Sequence, residues 1–235
     1  MKWKALATLS LTLGMALAAC GAEPARPLSF SVPWPYLEQA EYVLYDKDGK
    51  EIGQTTWTII KDGETYLLGE KTRIGSLHDE KLVTVQASDL KPIKSTWQRR
   101  GTPADFSLEA EYKGDKLIVK ARTKDGDKSV TIGVPADAYD NDESLTMIRA
   151  LPLSEGFSAA YTNVVPATAS SVKLKLKVLA REKVETPAGI FSTHKLQMDF
   201  GAGVQYAWYS MDEPYYLVKY QNVQSGVVFV LRRHS

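Results

Sequence analysis

Asp142-Glu-Ser-Leu-Thr-Met-Ile-Arg-Ala-Leu-Pro-Leu-Ser-Glu-Gly156 is the one stretch beyond the first twenty residues whose pattern is typical of a helix, and about a dozen predicted strands are divided between its two sides. Asn141 or Asp142 is predicted to be the N-cap, because either side chain can accept hydrogen bonds from the free amides of the first turn. Glu143 follows, and its negative charge is favourable at the positive end of the helix dipole. The sequence therefore predicts a helix that begins near residue 142.

An apolar face and a proline define the rest of this helix. Leu145, Ile148 and Leu151 recur at helical spacing and give the helix one apolar side. Pro152 has no amide hydrogen and its ring would clash with the preceding turn, so the helix is predicted to end just before it. A short helix with one apolar face, placed between two runs of strands, is expected to pack as a plug against a β-sheet.

Alternating apolar and polar residues, separated by tight-turn signals, predict antiparallel strands in both runs. The segments 42–45 and 54–60 are each followed by an Asp-Gly pair, ending at Gly49 and Gly63, which favours a hairpin because the turn needs positive φ. The predicted fold is all-β and mostly antiparallel. It is a strongly curved sheet or a partly open β-barrel of about a dozen strands, with one short helix near 142–151.

The first twenty residues are typical of an export signal. Lys2 and Lys4 give a positive start, and the uncharged, mostly apolar run 5–18 that follows is too short to span a bilayer. The sequence Leu17-Ala-Ala-Cys20 resembles the bacterial lipobox, in which the cysteine is acylated and becomes the new N-terminus. Cys20 is the only cysteine, so it has no disulfide partner within the chain.

These observations predict where the protein resides and how the chain is divided. We expect a signal peptide at 1–19, a lipidated Cys20 with a proline-stiffened tether at 20–35, and a single β domain at 36–235. The membrane is then a partner through the lipid on Cys20. The protein is expected to be exported and anchored to the outer face of the cell membrane, or to the outer membrane if the source is Gram-negative.

Charge and composition give no support for several other functions. Removing residues 1–19 takes away Lys2 and Lys4 and no acidic residue, so the formal net charge changes from +1 to −1, and no nucleic-acid partner is predicted. His78, His194 and His234 are far apart in the sequence and have no metal-ligand spacing. A Gly-x-Ser-x-Gly motif is also absent from the sequence. No cofactor, metal or catalytic residue is predicted.

Large aromatic side chains are the best candidates for a ligand site. Tyr206 and Trp208 fall on one face of a strand, and Tyr216 belongs to the next strand. Trp57 and Trp97 lie in the first half of the chain. Aromatic rings can line a concave apolar site, and we predict that these five bind a ligand. The alternative is that they fill the core or form cross-strand pairs.

The segments Tyr42–Gly53, Ile148–Gly156, Val184–Phe191 and Ala207–Pro214, in this order and spacing, resemble an uncharacterised family of exported bacterial proteins, domain-of-unknown-function family 3108. The resemblance implies a curved, mostly antiparallel β domain outside the cytoplasm, and it carries no known catalytic residue. A looser likeness is to the half-open β-clam of periplasmic lipoprotein carriers, which hold acyl chains in a concave sheet.

Three classes of function remain open at this point. Non-enzymatic binding of an amphiphile or glycan in the curved sheet is favoured, and a structural or assembly role with another envelope protein is the alternative. A glycan hydrolase ranks third, because no nucleophile–base pair can be identified. A deep apolar cavity would favour the first class and a flat exposed apolar patch the second. Two carboxylates about 5–10 Å apart across a cleft would favour the third.

Overall fold

The computed structural model describes residues 28–101 and 105–235, and Cys20 lies outside these residues. The described chain forms one fifteen-stranded sheet. A short α-helix, α1, spans Ser144–Met147, and two 3-10 turns span Ile148–Ala150 and Pro166–Thr168. The strands in chain order are β1 (Leu37–Tyr45), β2 (Glu51–Asp62), β3 (Thr65–Ile74), β4 (Leu77–Gln86), β5 (Pro92–Arg100), β6 (Phe106–Lys113), β7 (Lys116–Thr123), β8 (Gly126–Gly133), β9 (Ala138–Asp140), β10 (Ser158–Val165), β11 (Ser170–Thr186), β12 (Gly189–Asp199), β13 (Val204–Ser210), β14 (Leu217–Asn222) and β15 (Val228–His234).

Local turn chemistry produces the predicted hairpins. Asp46 Oδ1 accepts hydrogen bonds from the amides of Asp48 and Lys50 at 3.0 and 2.9 Å, and Gly49 adopts a φ of +78°. The turn brings β1 and β2 together as an antiparallel pair. Gly63, with a φ of +56°, similarly joins β2 to β3. The predicted hairpins are confirmed, although the described strands number fifteen rather than about a dozen.

The strand order shows that the sheet curls round on itself. It runs from β8 down to β1 and then from β15 down to β9, so that β8 and β9 are opposite edges. Only residues 134–137 separate these two edges in the chain. So short a link can join them only if the sheet curls until its edges approach each other. β9 and β10 are parallel, whereas the remaining neighbours pair antiparallel. The predicted all-β, mostly antiparallel and partly open barrel is confirmed.

The helix starts later than predicted and in a different way. α1 begins at Ser144, its N-cap residue is Glu143, and no side chain caps its first turn. The prediction of Asn141 or Asp142 as the N-cap is wrong, because both side chains have partners on neighbouring strands. Asn141 Oδ1 accepts a hydrogen bond from β10, and Asp142 Oδ1 accepts one from β4, both at 3.0 Å. The 3-10 turn that follows α1 ends just before the proline, as predicted.

The helical segment fills the inside of the curled sheet. Met147 and Ile148 are fully buried, and Leu151 is nearly so. They share one continuous core with inward-facing side chains from both halves of the sheet, including Leu68 of β3 and Leu196 of β12. The predicted plug is confirmed. As a result, the centre of the concave face is packed with protein side chains instead of forming an open cavity.

The segment before β1 runs across the end of this plug. The Ser31 amide donates a hydrogen bond to the Ala150 carbonyl at 2.8 Å. The ring of Phe30 packs edge-on against that of Tyr139, with 5.7 Å between their centroids. Packing against the barrel therefore begins within the range 20–35, which the sequence assigned to the tether. We call the end of the barrel at which β1 begins and β15 finishes the tether end.

Candidate functional site

Two of the five aromatic side chains predicted to bind a ligand share the concave face. Trp57 pairs with Glu70, Glu70 with Lys81, and Lys81 with Trp97, so that these four form one row across β2 to β5. Lys81 Nζ also lies 3.0 Å from Asp142 beside the plug. Burial acts to lower the pKa of Lys81, but the negative charges of Glu70 and Asp142 have the larger combined effect, so the pKa is raised overall. An ion-paired lysine therefore separates the two tryptophans.

Both tryptophan rings in this row already have partners within the protein. The cationic groups of Lys81 and Arg99 lie 4.9 and 4.8 Å from the ring centroid of Trp97. The ring of Trp57 packs against Tyr42, with 5.0 Å between the centroids. Cation–π and aromatic contacts of this kind stabilise the sheet. They also cover ring surface that a ligand would need.

Tyr206 and Trp208 lie on the convex face, since their alternate neighbours in β13 enter the core. Trp208 Nε1 donates a hydrogen bond to Glu182 Oε2 at 2.7 Å. The ammonium groups of Lys195 and Lys219 lie 5.1 and 4.8 Å from the ring centroid of Trp208. The predicted alternation along β13 is correct, but it directs these two rings away from the inside of the barrel.

Tyr216 lies at a third place, the tether end. Its ring centroid is 4.1 Å from that of His234 and 5.3 Å from the guanidinium carbon of Arg149. The five aromatic residues thus occupy three separate places and do not line one cavity. Their part in ligand binding stays a prediction. The lipidation of Cys20 also stays a prediction, because that residue lies outside the described chain.

A buried ion pair organises the tether end. Arg149 donates two hydrogen bonds to the carboxylate of Glu38, at 2.6 and 2.8 Å, and both side chains are almost fully buried. The guanidinium also donates to the carbonyls of Pro214 and Tyr215 at 2.7 and 3.1 Å. Such additional bonds are needed to offset the cost of removing two charges from water. The pair joins the plug, β1 and the loop between β13 and β14.

The loop 211–216 between β13 and β14 is held in one shape by this pair. Tyr215 has a φ of +56°, a left-handed conformation that costs a residue other than glycine about 1 kcal/mol or more. The Tyr215 amide donates to the Asp212 carbonyl at 2.9 Å, which closes the turn. The Met211 amide donates to the Ser192 carbonyl of β12, also at 2.9 Å. The loop therefore forms a fixed wall beside the plug.

A cleft of about 390 Å³ lies between this loop and the plug. Its volume is within the range of small-molecule sites, towards the lower end. The loop forms one wall, the segment after the plug a second, and the segment before β1 a third. We call it the tether-end cleft. Its lining combines the apolar side chains of Val32, Leu151, Leu153 and Met211 with the polar side chains of His194, Ser210 and Glu213.

His194 lines the tether-end cleft and carries a buried polar atom without a hydrogen bond in the described chain. The residue is 7% exposed, and its Nδ1 has no hydrogen-bond partner among the described residues. Burial lowers the pKa of His194, and the positive charge of Arg181 lowers it further, so the imidazole is neutral at pH 7. A buried polar atom without a hydrogen bond costs about 1–3 kcal/mol. A ligand group that bonds to Nδ1 would recover part of this cost.

Comparison with known protein families places the chain in one of them. Residues 40–231 match the family described as a protein of unknown function, DUF3108. The chain belongs to this family. Two segments that carried the resemblance, Ile148–Gly156 and Ala207–Pro214, meet at the tether-end cleft. A third, Val184–Phe191, forms the turn between β11 and β12 and its flanking residues, next to the same loop. Ile148–Gly156 and Ala207–Pro214 are far apart in the sequence and are joined where Arg149 donates to the Pro214 carbonyl.

Solved structures of other proteins resemble this member of the family to different degrees. A β-barrel-like protein of domain of unknown function DUF1849 from Brucella abortus has a TM-score of 0.54 and 8% identity, covering 85% of this chain and 97% of its own. A candidate exported protein with a YmcC-like fold from Bacteroides fragilis has a TM-score of 0.32 and 12% identity, with coverages of 88% and 99%. A candidate lipoprotein from Parabacteroides distasonis has a TM-score of 0.36 and 13% identity, with the same coverages. The first supports the barrel-like fold alone. No curated protein matches the chain.

Sequence reasoning did not select Arg149 or His194 as members of a site. Arg149 is the one charged residue between Ser144 and Leu153, and this isolation in an apolar run was a usable signal. His194 carried no such signal. Within residues 28–101 and 105–235, no group of three histidine, cysteine, aspartate or glutamate residues is arranged to hold a metal ion. In the same part of the chain, no helix has the length and apolar character needed to cross a membrane.

Proposed function

We propose that this family member is a non-enzymatic, extracytoplasmic binding protein. It is anchored to a membrane by a lipid on Cys20, and it holds the polar end of an amphiphile in the tether-end cleft. The observation that supports the proposal most directly is a cleft lined by apolar side chains and by His194, whose buried Nδ1 has no hydrogen-bond partner among the described residues. A cleft that combines apolar side chains with a few placed polar groups is the usual form of a small-molecule site.

The lining of the cleft specifies the chemistry of the ligand. Val32, Leu151, Leu153 and Met211 present apolar surface, which a hydrocarbon portion of the ligand would cover. A neutral imidazole has one nitrogen that donates and one that accepts a hydrogen bond. His194 therefore favours an uncharged partner such as a hydroxyl or an amide. The predicted ligand combines a short hydrocarbon portion with such a group.

The geometry favours an amphiphile over the other predicted classes. Glycan sites commonly offer an open aromatic face, whereas the rings of Trp97 and Trp208 are covered by cationic side chains. An assembly role would rest on an exposed flat surface, which is separate from the concave tether-end cleft. The cleft is lined by His194, Ser210 and Glu213, and the Ser210 hydroxyl donates its hydrogen bond to the Asp212 carbonyl instead of to a base that could activate it. Binding without catalysis is therefore the function that this site supports best.

Replacing His194 with phenylalanine is expected to abolish ligand retention without unfolding the protein. The variant removes the buried polar atom and keeps the aromatic volume, so stability should stay the same or rise slightly. Native mass spectrometry is the measurement, on protein in which residues 1–20 are replaced by a start methionine and which is purified gently from a bacterial host. The original sequence should carry a mass that organic solvent removes, and the variant's occupancy should fall about tenfold or more.

His78→Phe provides the matched control, because His78 is an exposed histidine on β4 at the other end of the barrel. This control should retain the same mass as the original sequence. If the original sequence carries no retained ligand, or if His194→Phe retains as much ligand as the original sequence, the tether-end cleft is not a ligand site.

A further inference from the structure

The most exposed large apolar side chains of the described chain cluster at the tether end. Ile190 is 72% exposed, Tyr36 is 70% exposed and Leu37 is 60% exposed. Leu37 pairs across the sheet with Ile60, which is 38% exposed. Exposed apolar residues that occur singly need no explanation, but a group at one end of a molecule marks an interaction surface. We call these four residues the apolar rim.

Contacts between strands place Ile190 at the same end as the other three. Ala40 of β1 pairs with His234, which is near the end of β15. The ring of Phe191 lies 6.4 Å from the ring of His234. Phe191 packs towards the core whereas its neighbour Ile190 points into solvent. The turn between β11 and β12 therefore lies at the same end of the barrel as the start of β1.

We propose that the apolar rim docks on the lipid surface of the membrane. This inference rests on the anchoring through Cys20 that the proposed function includes. Cys20 lies eight residues before Leu28, where the described chain begins. Even fully extended, eight residues span at most roughly 29 Å. A protein anchored there holds its tether end close to the bilayer, which is the one large apolar phase within this reach.

Charge around the rim indicates the type of lipid contact. Lys61 and Asp62 follow Ile60, and Lys183 and Glu185 precede Ile190, so positive and negative side chains are balanced. Such a surface gains little from anionic headgroups. Insertion of apolar side chains into the headgroup boundary is the remaining source of affinity. Docking is therefore expected to occur on uncharged lipid and to depend only weakly on salt.

Docking in this orientation would bring the tether-end cleft next to the bilayer. Met211 lines the cleft, and its amide is bonded to Ser192, two residues after Ile190. The rim and the cleft are therefore parts of one rigid end of the barrel. An amphiphile would then have a short path between the membrane and the cleft.

Vesicle co-sedimentation of the unlipidated protein tests the docking. Protein with residues 1–20 replaced by a start methionine keeps every residue of the described core. It should partition onto phosphatidylcholine vesicles similarly at low and at high salt. Ile190→Glu should lower the partition coefficient about tenfold or more, because a charge replaces the most exposed apolar side chain. Thermal unfolding should confirm that the variant is folded.

Val223→Glu is the matched control. Val223 is 51% exposed and lies between β14 and β15, at the end opposite the rim, so its replacement should leave partitioning within about twofold.

Absence of partitioning by the original sequence would overturn the docking. Full partitioning by Ile190→Glu would also overturn it and would indicate a protein partner for the rim. A protein that retains its ligand mass but does not bind vesicles would reject the docking without contradicting the proposed function. A protein that binds vesicles but retains no ligand mass would reject the proposed function alone.

Discussion

Replacing Arg149 with methionine is expected to lower the free energy of unfolding by about 3–5 kcal/mol. The change leaves the carboxylate of Glu38 buried with no cation to compensate it. It also removes the donors to the carbonyls of Pro214 and Tyr215, which keep the loop in its left-handed turn. Methionine fills part of the same volume, so a loss of packing contributes little. The measurement is urea unfolding at pH 7, followed by fluorescence.

A double variant separates the cost of leaving one charge unpaired from the net contribution of the ion pair to the free energy of unfolding. Arg149→Met combined with Glu38→Leu removes both charges, and it should recover at least half of the lost stability. Arg73→Met is the matched surface control, because Arg73 is exposed at the opposite end of the barrel. It should change the free energy of unfolding by less than about 0.5 kcal/mol. A loss below about 1 kcal/mol in the single variant would contradict the role assigned to Arg149.

Features of the fold that depend on near neighbours could be predicted from the sequence. The turn at Asp46–Gly49 is one, since the aspartate bonds to amides within four residues of itself. The end of the helical segment before Pro152 is another, because the proline acts on the turn directly before it. The face assignments of Tyr206 and Trp208 also hold, since alternation is a local property of a strand.

Features that depend on distant partners could not be predicted. Glu38 and Arg149 are separated by 111 positions, and only the curl of the sheet brings them together. Alternation places Trp208 and Tyr209 on opposite faces, but it does not show which face becomes concave. The N-cap prediction failed for the same reason, because Asp142 bonds to Lys81 on a distant strand instead of to the helix that it precedes.

The free energy of unfolding is expected to fall as the pH rises above about 6.5, and Glu143→Gln should remove much of this fall. Glu143 and Asp140 are fully buried beside the plug. Burial raises the pKa of Glu143 well above its usual value, and Asp140 raises it further. Burial also raises the pKa of Asp140, to about 7. The unfolded chain loses these protons near pH 4, so above that pH the folded state holds more protons and loses stability as the pH rises.

The hydrogen bonds of Glu143 explain why glutamine is the suitable replacement. Its Oε1 accepts a hydrogen bond from the Asp140 amide at 2.7 Å, whereas its Oε2 has no partner in the part of the chain described. Glutamine preserves the acceptor and cannot ionise. Lys91 lowers the pKa of Glu143 but does not outweigh burial. The protonated form is therefore the one that fits the folded site.

Urea unfolding at a series of pH values measures the effect. The stability of Glu143→Gln relative to the original sequence should increase by about 1.4 kcal/mol per pH unit until Glu143 ionises in the folded state. The series starts at pH 6.5 because burial lowers the pKa of His194. Below that pH, His194 makes the free energy of unfolding rise with pH, which is opposite to the effect of Glu143. Glu155→Gln is the control, since Glu155 is an exposed acid in the same stretch, and its curve should run parallel to that of the original sequence. A parallel curve for Glu143→Gln as well would show that Glu143 is charged in the folded protein. The plug would then hold a buried carboxylate stabilised by Lys91 and by the amide of Asp140.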